Sequence, residues 1–183
     1  MKEKSLGLVE LSSVAAGFLV ADTMLKAGQV RLLLSRSICS GKYMVVVGGE
    51  TAAVQAAVEA GCEAASGCLI DHFCVPNVHP EVMAALGRSQ PAEINGALGV
   101  IESFNVSALL QGADAAAKAA SVTLTEIRLA MALGGKAFLT MTGDIGSVQA
   151  ALAAGRKVIA DAGSLVNAVL IPRPHPDVYR EVV

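Results

Sequence analysis

The chain has 183 residues, a formal net charge of −2, 54% hydrophobic residues and only 16% charged ones, with 3% aromatics and no tryptophan. With no basic run interleaved with aromatics, nucleic acid is disfavoured as a main partner, and no uncharged apolar stretch reaches the roughly 18 to 20 residues of a membrane span. A chain this poor in charge, against roughly 25% in an ordinary soluble domain, is expected to hide much of its surface in an assembly.

The opening, Met1-Lys2-Glu3-Lys4-Ser5, runs straight into a strand pattern over Leu6 to Leu11, which disfavours a secretory signal. A helix follows, capped by Ser12 or Ser13 and running to about Ala27. Gly28 ends it, and the β-rich run from Val30 to Ile38 turns through a short loop into Lys42 to Val47, which predicts an antiparallel hairpin. Gly48-Gly49 is expected to break that strand, and Thr51 to cap a second helix over Ala52 to Ala65. A last strand, Cys68 to Val75, stops at Pro76, with a short helix after Pro80. Strand, helix, strand, strand, helix, strand is the split β-α-β order, with helices covering one sheet face.

The same order then recurs. Leu-Gly-Leu-Val-Glu from Leu6 is answered by Leu-Gly-Val-Ile-Glu from Leu98, and at the same offset Asp22 by Asp114, Lys26 by Lys118 and Arg36 by Arg128. The offset grows by two residues before Lys42 and Lys136, which carries Gly49-Glu50 onto Gly143-Asp144. It grows by two more before the end, where Pro76-Asn77-Val78-His79-Pro80 is answered by Pro172-Arg173-Pro174-His175-Pro176. An ordered series of polar residues does not recur by chance, so the chain is a tandem duplication. The fold class is mixed α/β (α+β): two split β-α-β domains over 1–88 and 96–183, joined by a linker over 89–95 and each about the size of a small domain.

The copies differ most in the loop before Lys42 and Lys136. The first reads Ile38-Cys39-Ser40-Gly41-Lys42, the second Ala130-Met131-Ala132-Leu133-Gly134-Gly135-Lys136, so a thiol is present in one loop and absent from its twin. The four cysteines, Cys39, Cys62, Cys68 and Cys74, all lie in the first copy, and a disulfide framework is disfavoured. Cys68, His72 and Cys74 share strand parity, but the two thiols would be about 20 Å apart along a strand, so packing or surface positions are the better reading. Cys62 reads as a small buried hydrophobe. Taken alone, Cys39 reads as a small loop residue. Glu10 and Glu102 end matching strands and are more simply duplicated structural positions than a carboxylate pair. Gly48-Gly49-Glu50 has neither the lysine nor the serine of a phosphate loop. No enzyme signature is found.

Gly-x-x-Glu, then Asp22-x-x-x-Lys26-Ala27, then Gly41-Lys42, then Gly49 before an Ala/Val helix, then Pro-x-x-His-Pro, occurring twice over nearly the whole chain, resembles the bacterial microcompartment shell domain. Ser35-x-x-Ile38-Cys39-x-Gly41-Lys42 and Gly134-Gly135-Lys136 are similar in particular to the T-type tandem shell proteins of propanediol-utilising compartments. The resemblance implies a homotrimer that imitates a hexamer, tiles edge to edge with other shell proteins in a cytoplasmic microcompartment, and has a pore on its threefold axis. It implies that Ser37, Ile38, Ser40, Gly41, Met131, Ala132, Leu133 and Gly134 line that pore. It also implies that Lys26, Lys118, His79, Arg173 and His175 serve the tile edges; Asn77 stands where the second copy has Arg173 and departs from the pattern. Finally, it implies that Cys39 of three chains holds one [4Fe–4S] cluster for electron transport, with a redox enzyme or electron carrier as partner. A thiolate is the soft ligand such clusters take, and four irons among three chains would be about 4/3 iron per chain. Two rival expectations are a plain tile with a metabolite pore and a trimeric small-molecule sensor.

Overall fold

A computed structural model of the chain describes residues 4–86, 96–130 and 133–180. It contains two compact units, Met1–Val78 and His79–Val183.

In the first unit the elements are β1 (Ser5–Leu11), α1 (Val14–Ala27), β2 (Arg31–Ile38), a one-turn 3-10 helix (Cys39–Gly41), β3 (Lys42–Gly49), α2 (Thr51–Ala64) and β4 (Leu69–Val75). The strands form one antiparallel sheet in the order β2-β3-β1-β4. The central strands β1 and β3 are buried almost throughout, which is why they read as continuous apolar runs instead of alternating ones. Val20, Met24, Val54, Ala57 and Val58 of the two helices close the core over Val9, Leu11, Val45 and Val47. Ser13 caps α1, its hydroxyl accepting from the Ala16 N–H at 3.3 Å.

Two expectations are corrected. The residue before α2 is Glu50, and Thr51 is its first helical residue; the Thr51 hydroxyl is taken by Ser5 Oγ at 2.7 Å, which ties the helix to β1. Gly48 and Gly49 do not break β3: they pair with Leu6 and Ser5, because the ladder to β1 supplies their backbone with partners.

The second unit repeats the plan. It comprises α3 (Pro80–Ala85), β5 (Ala97–Ser103), α4 (Val106–Ala119), β6 (Thr123–Leu129), β7 (Ala137–Gly143), α5 (Ile145–Asp161), β8 (Leu165–Ile171) and α6 (Pro176–Arg180), with sheet order β6-β7-β5-β8. Even the irregularities are duplicated, since register shifts fall between Leu32 and Leu34 and between Leu124 and Glu126. The expected linker, 89–95, lies outside the described residues. Among the described residues no helix is long and apolar enough to cross a membrane.

The cores differ by an exchange of volume. In the first unit Gly17 of α1 lies so close to the Tyr43 ring that a Cβ there would be 2.2 Å from it. At the matching places the second unit has Leu109 and Ala137, both fully buried. A large side chain on the strand with none on the helix has been traded for the reverse, which conserves volume at the contact.

Candidate functional site: the β2–β3 hairpin

The loop that differs most between the copies is, in the first unit, a hairpin tip. Pairing of Ser37 with Tyr43 and of Ile38 with Lys42 brings β2 and β3 to a tight end, and Cys39, Ser40 and Gly41 make the turn. Ser40 (φ 66°, ψ 27°) and Gly41 (φ 72°) are both left-handed. A Cβ on Gly41 would meet nothing within 4 Å, so glycine is needed there for its backbone angle and not for space. Two successive left-handed residues reverse the chain within one turn and leave the Cys39 thiol half-buried at the tip. Beneath it, Tyr43 Oη and Ser35 Oγ lie 2.9 Å apart and join the two strands.

Directly after the turn, Lys42 Nζ donates to the Glu10 carboxylate at 2.9 Å, where Glu10 is buried. The second unit keeps this pair, Lys136 with Glu102 at 2.5 Å. The duplicated glutamates therefore anchor the lysine that follows each loop. Their neighbouring loop is longer in the second unit: Ala130 N–H donates to Lys136 O and Lys136 N–H to Leu133 O, both at 3.1 Å, with Gly134 (φ 62°) and Gly135 (φ 89°) again left-handed. Met131 and Ala132 lie outside the described residues.

The other thiols are of a different kind. Cys62, Cys68 and Cys74 pack against the first unit's core. Burial pushes the Cys62 and Cys74 thiols up, with Glu59 adding to the effect at Cys62. His72 is exposed on β4. Among the described residues no three His, Cys, Asp or Glu side chains gather as a metal site within the chain.

Arg36, on β2 three residues before Cys39, was not legible as special. Its Nε is buried with no partner among the described residues, and burial holds the guanidinium below its ordinary value. Its twin Arg128 pairs with Glu126 at 2.6 Å and lies 5.3 Å from the Phe138 ring centroid. The first unit has Leu34 and Met44 at those two places, and that difference is the signal in the sequence that Arg36 has lost its partners.

Four of the five residues expected at tile edges, Lys26, Lys118, His79 and His175, make local contacts within the chain. Lys26, in the last turn of α1, donates to Asp22 at 2.6 Å and is exposed; Lys118 does the same with Asp114 at 2.5 Å. His79 Nδ1 accepts from the Glu81 N–H at 3.3 Å, and His175 Nδ1 from the Asp177 N–H at 3.2 Å. Each histidine thus caps the short helix that follows it. Arg173 is exposed, and Asn77 has a left-handed backbone (φ 51°).

The profile of the BMC domain matches residues 5–78 and again 97–174. The bacterial microcompartment shell protein PduT of Citrobacter freundii is 36% identical over 180 residues, 98% of each chain. The carboxysome shell protein CsoS1C of Hydrogenovibrio crunogenus is 38% identical over 92 residues, 48% of this chain and 90% of that one. Among solved structures, a microcompartment protein from Desulfitobacterium hafniense is 46% identical with a TM-score of 0.92, covering 96% of this chain and 98% of that one. A fused permuted hexameric shell protein from the RMM microcompartment, 20% identical with a TM-score of 0.62 over 85% of this chain and 81% of that one, shares the fold. With the duplicated sheet-and-helix plan and these relatives together, the chain belongs to the bacterial microcompartment shell proteins, a structural and not a catalytic family, and carries two BMC domains in tandem.

Proposed function

We propose that this shell protein assembles as a homotrimer whose units imitate a hexamer, tiles edge to edge with other shell proteins, and holds one [4Fe–4S] cluster between the Cys39 side chains of three chains. The observation that carries the proposal is the Cys39 thiol at a hairpin tip whose twin has none, presented by two left-handed residues. The likeness to PduT over 98% of the chain supports the same reading.

The donor set fits the group under one condition. Cys39 is a soft ligand, half-buried and at the end of a protruding turn, whereas the remaining thiols are committed to the core. One such ligand per chain cannot hold a cluster, so three copies must converge. Bound there, the cluster would supply reversible one-electron transfer. The chain's own residues set the conditions for it. Ser40 and Gly41 keep side-chain bulk away from the tip, so backbone amides can approach the cluster sulfurs. Glu10 neutralises Lys42 at the base of the same loop. Such a centre would close the pore to metabolites while electrons pass to a redox enzyme or carrier on the far side.

Anaerobic reconstitution with iron and sulfide tests the proposal: a brown trimer whose reduced form gives an EPR signal supports it. A colourless trimer would leave a plain tile, and a discrete trimer that binds a metabolite and forms no sheets would leave a sensor. The edge assignment has its own test. The Lys26–Asp22 pair is exposed on both sides, and pairs of that kind contribute less than about 1 kcal/mol to folding. Lys26→Ala should therefore leave folded trimers intact and abolish extended sheets in electron micrographs; normal sheets would sink the edge role.

A further inference from the structure

Among the described residues, a hydrogen bond between two hydroxyls joins the hairpin strands of each unit, at a different height in each. In the second unit it is buried and links Thr125 to Thr140 at 2.5 Å, and Thr140 pairs with Glu126 well inside the ladder. The first unit has Leu33 and Val46 at those places. Its bond is the one between Ser35 and Tyr43 at 2.9 Å, beside the turn, where Tyr43 pairs with Ser37 and Lys42 with Ile38. The second unit has Ile127 and Ala137 at the matching positions, and neither side chain can form such a bond. Of the two copies, the one with the thiol is therefore the one whose strands are tied next to the turn.

The tie is anchored to a side chain that cannot swing. Tyr43 is only 3% exposed, and its ring lies against α1 at Gly17, where even a Cβ would sit 2.2 Å away. The Phe18 ring lies 5.3 Å from it, centroid to centroid. Packing that locks the ring also fixes Oη, and through it Ser35 on the opposite strand. Core packing alone does not call for a tyrosine here, because Leu109 and Ala137 fill the same contact in the second unit without a polar atom. What Tyr43 adds is a hydroxyl at the end of the ladder, immediately below Cys39.

We infer that Tyr43 and Ser35 are positioning residues for the Cys39 thiol: their hydrogen bond holds the hairpin at the angle at which three sulfurs can reach one cluster. The inference rests on the shared-cluster reading and names the groups that aim its ligands. With one ligand per chain, no second thiolate from the same chain corrects a hairpin that drifts. Each sulfur must be brought to the common point by the scaffold alone, so loosening the scaffold shortens the life of the cluster.

Loss of the visible absorption of anaerobically reconstituted trimers to an iron chelator tests the inference in Tyr43→Phe, Ser35→Ala and Thr125→Val. Tyr43→Phe keeps the ring in its place and Ser35→Ala removes the other half of the same bond, so each should lose its iron at least about tenfold faster than wild type. Combining the two should add nothing further, since one bond is broken in either case. Thr125→Val breaks the buried link of the second unit and should leave the loss rate at the wild-type value, whatever its melting temperature. In the metal-free protein, the Ser40 and Gly41 amides should exchange hydrogen faster in Tyr43→Phe and Ser35→Ala and at the wild-type rate in Thr125→Val. Iron loss at one rate in wild type and all variants, or loss that follows melting temperature across the three, would overturn the positioning role and leave the cluster standing. A wild-type protein that takes up no iron would overturn both.

Discussion

Replacing Cys39 with alanine should remove all iron from a reconstituted protein that otherwise carries about 4/3 iron per chain. The expected effect is complete loss because the hairpin offers no substitute: Ser40 and Gly41 are the other residues of the turn, and no further Cys, His, Asp or Glu joins it. Serine in place of alanine keeps the size and removes the soft donor, so Cys39→Ser should also lose the visible absorption. The control is a chain in which Cys62, Cys68 and Cys74 are each changed to alanine. Those thiols pack on the core, and burial pushes two of them up, so iron content should persist even where stability falls. Iron that survives Cys39→Ala, or that disappears in the three-site variant while trimers persist, would reject the cluster assignment. Since Cys39 lies at a half-exposed turn tip and outside the first unit's core cluster, its replacement should shift the melting temperature of the metal-free protein far less than changes at the core thiols do.

The second large effect is a coupling within the core. Gly17→Leu puts a side chain where even a Cβ would sit 2.2 Å from the Tyr43 ring, and overpacking of this severity should cost about 3 kcal/mol. Tyr43→Ala should cost about 3 kcal/mol as well, through the cavity it leaves and the lost contact with Ser35. The double variant recreates the Leu109 and Ala137 arrangement of the second unit, on the same backbone pairing. It should therefore recover about 2 kcal/mol relative to the sum of the single changes, measured as urea-unfolding free energies. Additive costs would mean that the two units solve this contact through backbone differences and not by trading volume.

How much of this was legible in the sequence follows from what a pattern can encode. The six elements of each repeat were visible because buried central strands such as Tyr43 to Val47 and helices closed by Gly28 carry local signals. Cys39 was visible because a twin existed to compare it with. The strand continuing through Gly48 and Gly49 was not, since pairing with Leu6 and Ser5 overrides the local tendency of two glycines to end a strand. The Thr51 hydroxyl was read as a cap because nothing local reveals that Ser5, distant in sequence, takes it. A repeat reports descent and not contact, so it could not show that His79 to Leu86 packs on the second unit. Arg36 escaped for a related reason: its isolation arises from the absence of Glu126 and Phe138 counterparts across the sheet, at Leu34 and Met44.

Consider finally the valence of a ring built from this hairpin. Six identical single-domain chains bearing Cys39 would offer six thiolates to a cubane with four irons, so two would be surplus at best, and their mutual repulsion would oppose closure of the site. In the proposed trimer, confining the thiol to one loop of two would halve the number to three and would leave one iron open to exchange. Duplication would then do more than save an assembly step: it would convert a sixfold scaffold into a threefold coordination sphere, a symmetry reduction that no point change in a single-domain tile can achieve.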